Sequence, residues 1–460
     1  MKIAIVGSGI AGNIVAHHLH RQHEVHLFEA ASHVGGHAHT HDVEVAGKPY
    51  TVDTGFIVYN DQTYPNFSAM LTQLGVASQE SSMSFSVRCE RSGLEYNGTT
   101  LNSLFAQRRN LFRPGFWRMI REILRFNREA PALLQESAAA EPDIALGQYL
   151  DKGRYSREFI DWYIVPMGAA IWSTDPVRML DFPARCFVRF FQNHGMLSVN
   201  DRPQWRTISG GSREYVRHLT AGFLDRIRLR TPVQQIRRFA THVEVITAEG
   251  GAERFDQVFL ACHSDQALAL LDEASGLEAA TLGAIPYQAS EMVLHTDASL
   301  LPRRQRAWAA WNYHLLPDAL PCQQTLDGTT NAATVTYNMN ILQRIQAPHT
   351  FCVTLNRPND IDPALVLKRL TYHHPVYTPA GLEAQTRHFD VNGVNRTYFC
   401  GAYWRYGFHE DGVVSALAAL AHFQARTSVE VPRLWHQGTE QARAVRQPGG
   451  DHVGHAGLVL

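Results

Sequence analysis

The first twelve residues limit the fold more than any other part of the chain. Ile3-Ala-Ile-Val6 is a short continuous apolar run of the kind buried on both faces of a parallel sheet. It leads straight into Gly7-Ser-Gly9-Ile10-Ala11-Gly12. In this G-x-G-x-x-G spacing the first glycine permits a tight turn and the second lets backbone approach a pyrophosphate. The third lets helix and strand pack closely. The pattern predicts a helix from about Ile10 to Arg21, with the N–H groups of Ile10, Ala11 and Gly12 directed at phosphate. A second strand, Val25 to Phe28, ends at Glu29, seventeen residues after Gly12, where a carboxylate can accept both hydroxyls of an adenosine ribose. Strand, turn, helix, strand and acid in this order predict a dinucleotide site.

The 460 residues exceed one ordinary core and suit roughly two or three domains. Lys and Arg total 42 against 43 Asp and Glu, which removes any global electrostatic case for nucleic acid. Six dispersed cysteines without a C-x-x-C pair argue against a zinc ribbon, an iron–sulfur cluster or a disulfide scaffold, and suit a reducing cytoplasm. The apolar start runs into glycine rather than a cleavage site, and no run of about 18 apolar residues suggests a spanning helix. The expectation is a soluble, cytoplasmic protein.

After Glu29 come Gly35-Gly36 and then His37-Ala-His-Thr40. An acid followed by a Gly-Gly pair resembles the flavin amine oxidase and phytoene desaturase superfamily, which implies FAD. That superfamily usually carries Arg after the pair, where this chain has His37, an N–H donor for phosphate. Thr397-Tyr-Phe-Cys-Gly401 and Gly412-Val413-Val414 resemble the superfamily's last strand and following helix. By that resemblance Gly401 lies near the pyrophosphate and ribityl chain, and Gly412, Val413 and Val414 donate N–H groups to the flavin. Relatives often have Gly-Asp where Gly401-Ala402 stands, which makes Asp411 a candidate substitute. Val233, after Pro232, resembles the valine that packs against adenine. Segments such as Val165–Thr174, Asn193–Leu197, Trp205–Arg213 and Gly407–Gly412 resemble a bacterial family of FAD-dependent oxidoreductases associated with fatty-acid modification. That resemblance makes an acyl chain a candidate substrate.

The implied fold is α/β: a Rossmann-type FAD-binding domain assembled from 1–75, 205–270 and 390–425. An α+β substrate domain comes from 76–204 and 271–389, and 426–460 is a loosely ordered tail. The first insert reads as mostly helical, with one helix from Gly147 to Trp162. The second holds strand-like runs at Ala289–Thr296, Thr334–Tyr337 and Thr350–Leu355.

Candidate catalytic residues are Trp404, Tyr406, His194 and His409. Trp404 and Tyr406 would wall the flavin face, and His194 would move a proton. Tyr59, Asn60, Tyr163 and Trp172 are further pocket candidates. His37, His39 and His41 would share a strand face, but no acid or thiolate completes a ligand set, and no metal is expected. His17, His18, His20, His23 and His26 read as exposed. Cys400 reads as a buried strand residue rather than a flavin attachment point.

The leading reading is an FAD-dependent dehydrogenase or desaturase of an apolar, acyl-chain or lipid substrate. An oxygen-using amine oxidase, a redox-neutral flavin isomerase and a non-catalytic lipid-binding protein remain alternatives. Residues 101–130 carry seven arginines against two glutamates. A helix from Pro114 to about Glu129 with Phe116, Met119, Ile120, Ile123, Leu124 and Phe126 at helical spacing suggests contact of 105–130 with an anionic membrane, at its cytoplasmic face. The sequence sets no oligomeric state.

Overall fold

The computed structural model describes residues 1–135, 143–198, 202–316 and 333–431. The expected tail lies almost wholly outside the described residues.

A five-stranded parallel sheet is built from β1 (Lys2–Val6), β2 (Glu24–Phe28), β3 (Ile227–Arg228), β4 (Gln257–Leu260) and β5 (Thr397–Phe399), in the order β3-β2-β1-β4-β5. The registers run Ile5↔Leu27 on one side of β1, and Ile5↔Phe259 then Phe259↔Tyr398 on the other. Strand order therefore reverses beside β1. The crevice at the carboxyl ends of β1 and β4 is the switch point, where ligands of such sheets bind.

Four helices pack on one face of this sheet, α1 (Ile10–Leu19), α2 (Pro65–Leu74), α4 (Arg213–Thr220) and α5 (His409–Thr427), while α3 (Pro114–Glu129) lies in the substrate side. Ile14, Val15 and Leu19 of α1 and Val413, Ala416, Leu420 and Phe423 of α5 share one core with Phe259 and Tyr398. The opposite sheet face, with Val6, Phe28, Leu260 and Phe399, packs on Ile236, Val245 and Phe255 of an antiparallel three-stranded sheet.

Because α1 is enclosed by the sheet, α4 and α5, its histidines are not the solvent-facing residues the sequence suggests. His18 is buried, and burial pulls its pKa down to about 3. The His17 Nδ1 lies 2.9 Å from the Leu219 carbonyl oxygen.

Above the carboxyl edge stands a seven-stranded mixed sheet, ordered 366–375, 287–295, 352–355, 335–338, 311–315, 85–89 and 94–97. The second insert supplies the first five strands. The last two, Phe85–Cys89 and Leu94–Asn97, come from the first insert, which is thus not purely helical. Nor is 147–162 one helix. The segment Leu146–Lys152 stops at Gly153, Arg154 takes φ +51°, and Ser156 caps a new turn by accepting the Phe159 N–H. Glu122 of α3 accepts the Ser156 N–H at 3.0 Å, so the break is held from outside.

Candidate FAD and substrate site

The glycines of the first turn divide by what each would meet. Gly7 has φ +101°, and a Cβ there would lie 2.8 Å from the Ala261 oxygen; one on Gly12 would strike the Gly7 oxygen. A Cβ on Gly9 would meet nothing within 4 Å. The first and third are required by the protein's own packing, while the second faces open space. Helix α1 begins at Ile10, Ala11 and Gly12 with no side-chain cap, which leaves its first N–H groups for an anion. Gly36 crosses this turn so closely that its Cβ would come within 3.0 Å of the Gly9 Cα, and the Gly35 N–H donates to the Ser8 oxygen at 3.0 Å.

Glu29 lies at the same mouth. Its Oε2 accepts the Ser8 N–H at 2.8 Å and the Ser8 hydroxyl at 2.6 Å, and its Oε1 accepts the Ala31 N–H at 2.8 Å. The carboxylate keeps lone pairs for a ribose. Ser8 was not singled out by the sequence reading, since its position is variable in the glycine pattern. Thr231 donates its N–H to the Glu29 oxygen at 2.8 Å, which brings Val233, first residue of Val233–Arg238, to the same edge.

His37 is held neutral. Its ring stacks on Tyr372 with centroids 4.8 Å apart, with His374 at 5.8 Å and His263 at 6.2 Å. Burial, then the neighbouring imidazoles, pull its pKa to about 4. His33 stacks on His39 with centroids 3.7 Å apart, and His41 lies tilted against His39 at 4.0 Å. Among the described residues no group of three His, Cys, Asp or Glu side chains is placed to hold a metal ion. Cys400 is fully buried, and burial raises its thiol pKa.

Beyond β5 the chain makes the loop that leads into α5. The Gly401 N–H donates to the Ser415 hydroxyl at 2.8 Å, and Gln385 Nε2 donates to the Tyr403 and Arg405 oxygens at 2.8 and 2.6 Å. Asp411 helps to close this loop: its Oδ2 accepts the Phe408 N–H at 2.9 Å at the start of α5, and its Oδ1 lies 3.6 Å from Arg405 Nε. Burial raises its pKa to about 6, against the pull of Arg405. A Cβ on Gly412 would lie 2.6 Å from Ile10 Cγ2, so the starts of α1 and α5 abut. Val413 sends its side chain into the core and Val414 is half-buried.

Of the four candidate catalytic residues, the fold gathers two. Phe190 is the centre: its ring lies 3.8 Å from His194, 4.8 Å from Trp172, 5.0 Å from Phe408 and 5.9 Å from Tyr406. Trp404 packs instead on His388 at 4.4 Å, within the core around Leu260 and Phe399. His409 stacks on Phe56 at 3.8 Å with the Tyr215 hydroxyl 2.6 Å from its Nε2, and burial drives its pKa to about 3. Neither of these two stands with Phe190. Tyr59 lies in the core with Phe67, and Asn60 Oδ1 accepts the Gln62 and Thr63 N–H groups in a turn. Tyr163 is half-buried at the rim of the α3 core.

His194 Nδ1 lies 2.9 Å from the Phe190 carbonyl oxygen, so that nitrogen carries the hydrogen and donates it. Burial lowers the pKa to about 4, which leaves a neutral ring with Nε2 as the bare acceptor.

A buried hub that the sequence did not reveal joins the two sides. Asp53 accepts the Thr40 hydroxyl at 2.5 Å, the Ser212 N–H at 3.0 Å, the Ser212 hydroxyl at 2.9 Å and Gln343 Nε2 at 3.0 Å. Its own N–H donates to Gln343 Oε1 at 2.8 Å. Burial raises its pKa to about 6.

An open second glycine, an uncapped helix start, a ribose-ready carboxylate and a second helix start against the first fit FAD. Residues 10–294 match the family of flavin containing amine oxidoreductases. The chain belongs to that family and is a flavin-dependent oxidoreductase with FAD as its cofactor. No protein of curated function matches it. Its structure is similar to cyclohexylamine oxidase from Brevibacterium oxydans IH-35A, with TM-score 0.66 and 15% identity over 93% of this chain and 99% of that one. It is also similar to putrescine oxidase bound to putrescine, with TM-score 0.63 and 15% identity over 93% and 100%. A fatty acid isomerase from P. acnes that produces CLA gives TM-score 0.63 and 14% identity over 92% and 98%. These likenesses establish the fold.

Proposed function

We propose that the protein dehydrogenates or desaturates an apolar substrate, most plainly a fatty-acyl chain. One observation carries this reading: the group around Phe190 is aromatic, and the acids beside it are committed elsewhere. Asp411 caps α5, and Glu410 accepts the Asn66 and Phe67 N–H groups at 3.1 and 2.9 Å. A buried ammonium group is best matched by a free carboxylate, whereas an apolar chain needs none. Bound FAD supplies the hydride acceptor. His194 Nε2 offers a place for the accompanying proton, and the rings of Phe190, Phe408 and Trp172 exclude water from the chain that packs against them.

The test is anaerobic bleaching of the bound flavin. Acyl lipids should bleach it and amines such as putrescine or cyclohexylamine should leave it oxidised; bleaching by amines alone overturns the proposal. Product with no net oxidation would place the reaction among isomerisations. Mass spectrometry of lipids from cells with and without the gene then identifies the acyl chain.

A further inference from the structure

Of the twelve large apolar side chains that the described residues leave exposed, five lie between positions 101 and 124. They are Leu101 at 52%, Leu111 at 42%, Phe112 at 86%, Trp117 at 42% and Leu124 at 41%. They form one surface. Trp117 Nε1 donates to the Leu111 oxygen at 2.9 Å, its ring lies 5.3 Å from Phe105, and the Phe105 N–H donates to the Leu101 oxygen at 3.1 Å. Leu124 follows Trp117 by two helical turns, on the same side of α3 and about 10 Å along it.

This is not the face that helical spacing alone suggests. Phe116, Met119 and Phe126 are buried in the cores beneath α3, with Ile120 and Ile123 packed against them. The exposed apolar residues lie on the other side, and a soluble helix has no packing use for them there.

Charge selects what covers them. Arg121 lies between Trp117 and Leu124 and makes no ion pair among the described residues. Arg118, 3.4 Å from Glu158, and Arg128, 3.1 Å from Glu129, still keep 52% and 75% of their side chains exposed. Both glutamates of the stretch are committed, Glu122 to the Ser156 N–H and Glu129 to Arg125 and Arg128 at 3.5 and 3.1 Å. Phe112, the most exposed of them, protrudes where the 108–112 turn meets α3.

We infer that Phe112, Trp117 and Leu124, ringed by Arg118, Arg121 and Arg128, dock the protein on an anionic lipid bilayer. The aromatic tips enter the headgroup layer and the guanidinium groups pair with lipid phosphate.

Flotation of the FAD-loaded full chain tests this, with vesicles of phosphatidylcholine alone and of phosphatidylcholine doped with phosphatidylglycerol. The protein should float with the doped vesicles and detach as salt rises. Arg121→Gln should weaken binding about fivefold, and Phe112→Ser about tenfold or more. Phe389→Ser, at a 69% exposed site elsewhere, should change nothing. These positions are exposed, so unchanged flavin content and melting temperature report intact folding. No flotation at low salt overturns the proposal. So does flotation that Phe112→Ser leaves intact, or a dimer in solution that Phe112→Ser dissolves.

Discussion

The carboxylate of Glu410 closes the start of α2 by accepting from Asn66 twice, at 3.1 Å from its backbone N–H and 2.6 Å from Nδ2, with the Phe67 N–H at 2.9 Å. One acid at the first turn of α5 thus supplies the missing cap of α2, whose Asn66 lies 344 residues earlier. Replacing it by alanine strands buried donors, at a cost of about 1–3 kcal/mol. Glu410→Ala should melt earlier than wild type, and Glu410→Gln, which keeps one acceptor, should fall between. Equal melting of all three by calorimetry would refute the capping role.

Glu29 anchors Ser8 and keeps lone pairs for a ribose. Charge-assisted hydrogen bonds are worth roughly 1.5–3 kcal/mol each, so Glu29→Ala should weaken FAD about tenfold to a hundredfold. Ser8→Ala leaves the carboxylate in place and should weaken it less. Flavin fluorescence titration of the apoprotein distinguishes them, and wild-type affinity in Glu29→Ala would sink the assignment.

The two loop aromatics should separate experimentally. Tyr406→Ala should lower turnover with flavin retained. Trp404→Ala removes a fully packed indole and should cost about 3–5 kcal/mol of stability. His194→Gln should slow turnover about a hundredfold or more if Nε2 takes the proton. Full activity in that variant would assign the proton to another group.

Stability should fall on acidification. His18, His37, His194 and His409 have folded pKa values of about 3 to 4, below the ordinary 6.5. The unfolded chain therefore binds protons first, and stability is lost as pH drops below 6.5. Asp53, Asp411 and Glu410, raised to about 6, 6 and 7, act oppositely and favour the fold as pH falls from about 7 towards 4. The histidines outnumber them. The melting temperature should decline between pH 7 and pH 5, and His409→Phe should flatten the decline. A rise over that interval would contradict the balance.

The phosphate turn was legible because its information is local. Glycines at 7, 9 and 12, an apolar strand before them and an acid after them sit within one short segment. The Pro114 helix was legible for the same reason, with bounds matching Pro114–Glu129. What the sequence hid is non-local. Phe190 and Phe408 meet across 218 positions, and Asp53 meets Ser212 and Gln343 across 159 and 290. The strand Phe85–Cys89 was in fact legible, since Ser82-Met-Ser-Phe-Ser-Val-Arg-Cys89 alternates polar and apolar residues as a half-buried strand does, and only its partner Trp311–Leu315 was hidden. That Trp404 and His409 pack on His388 and Phe56, apart from Phe190, is equally non-local.

The hub at Asp53 limits how this enzyme can move. Its carboxylate holds Ser212 on the cofactor side and Gln343 on the substrate side, with the Asp53 N–H returning a bond to Gln343. Parting the halves like a clamshell would strand a buried acid and break several hydrogen bonds in one stroke, at a cost of about 3–5 kcal/mol. At that cost the parted state holds under about one molecule in a hundred at any moment, so side chains swinging at a doorway are a cheaper route to the flavin than hinge bending.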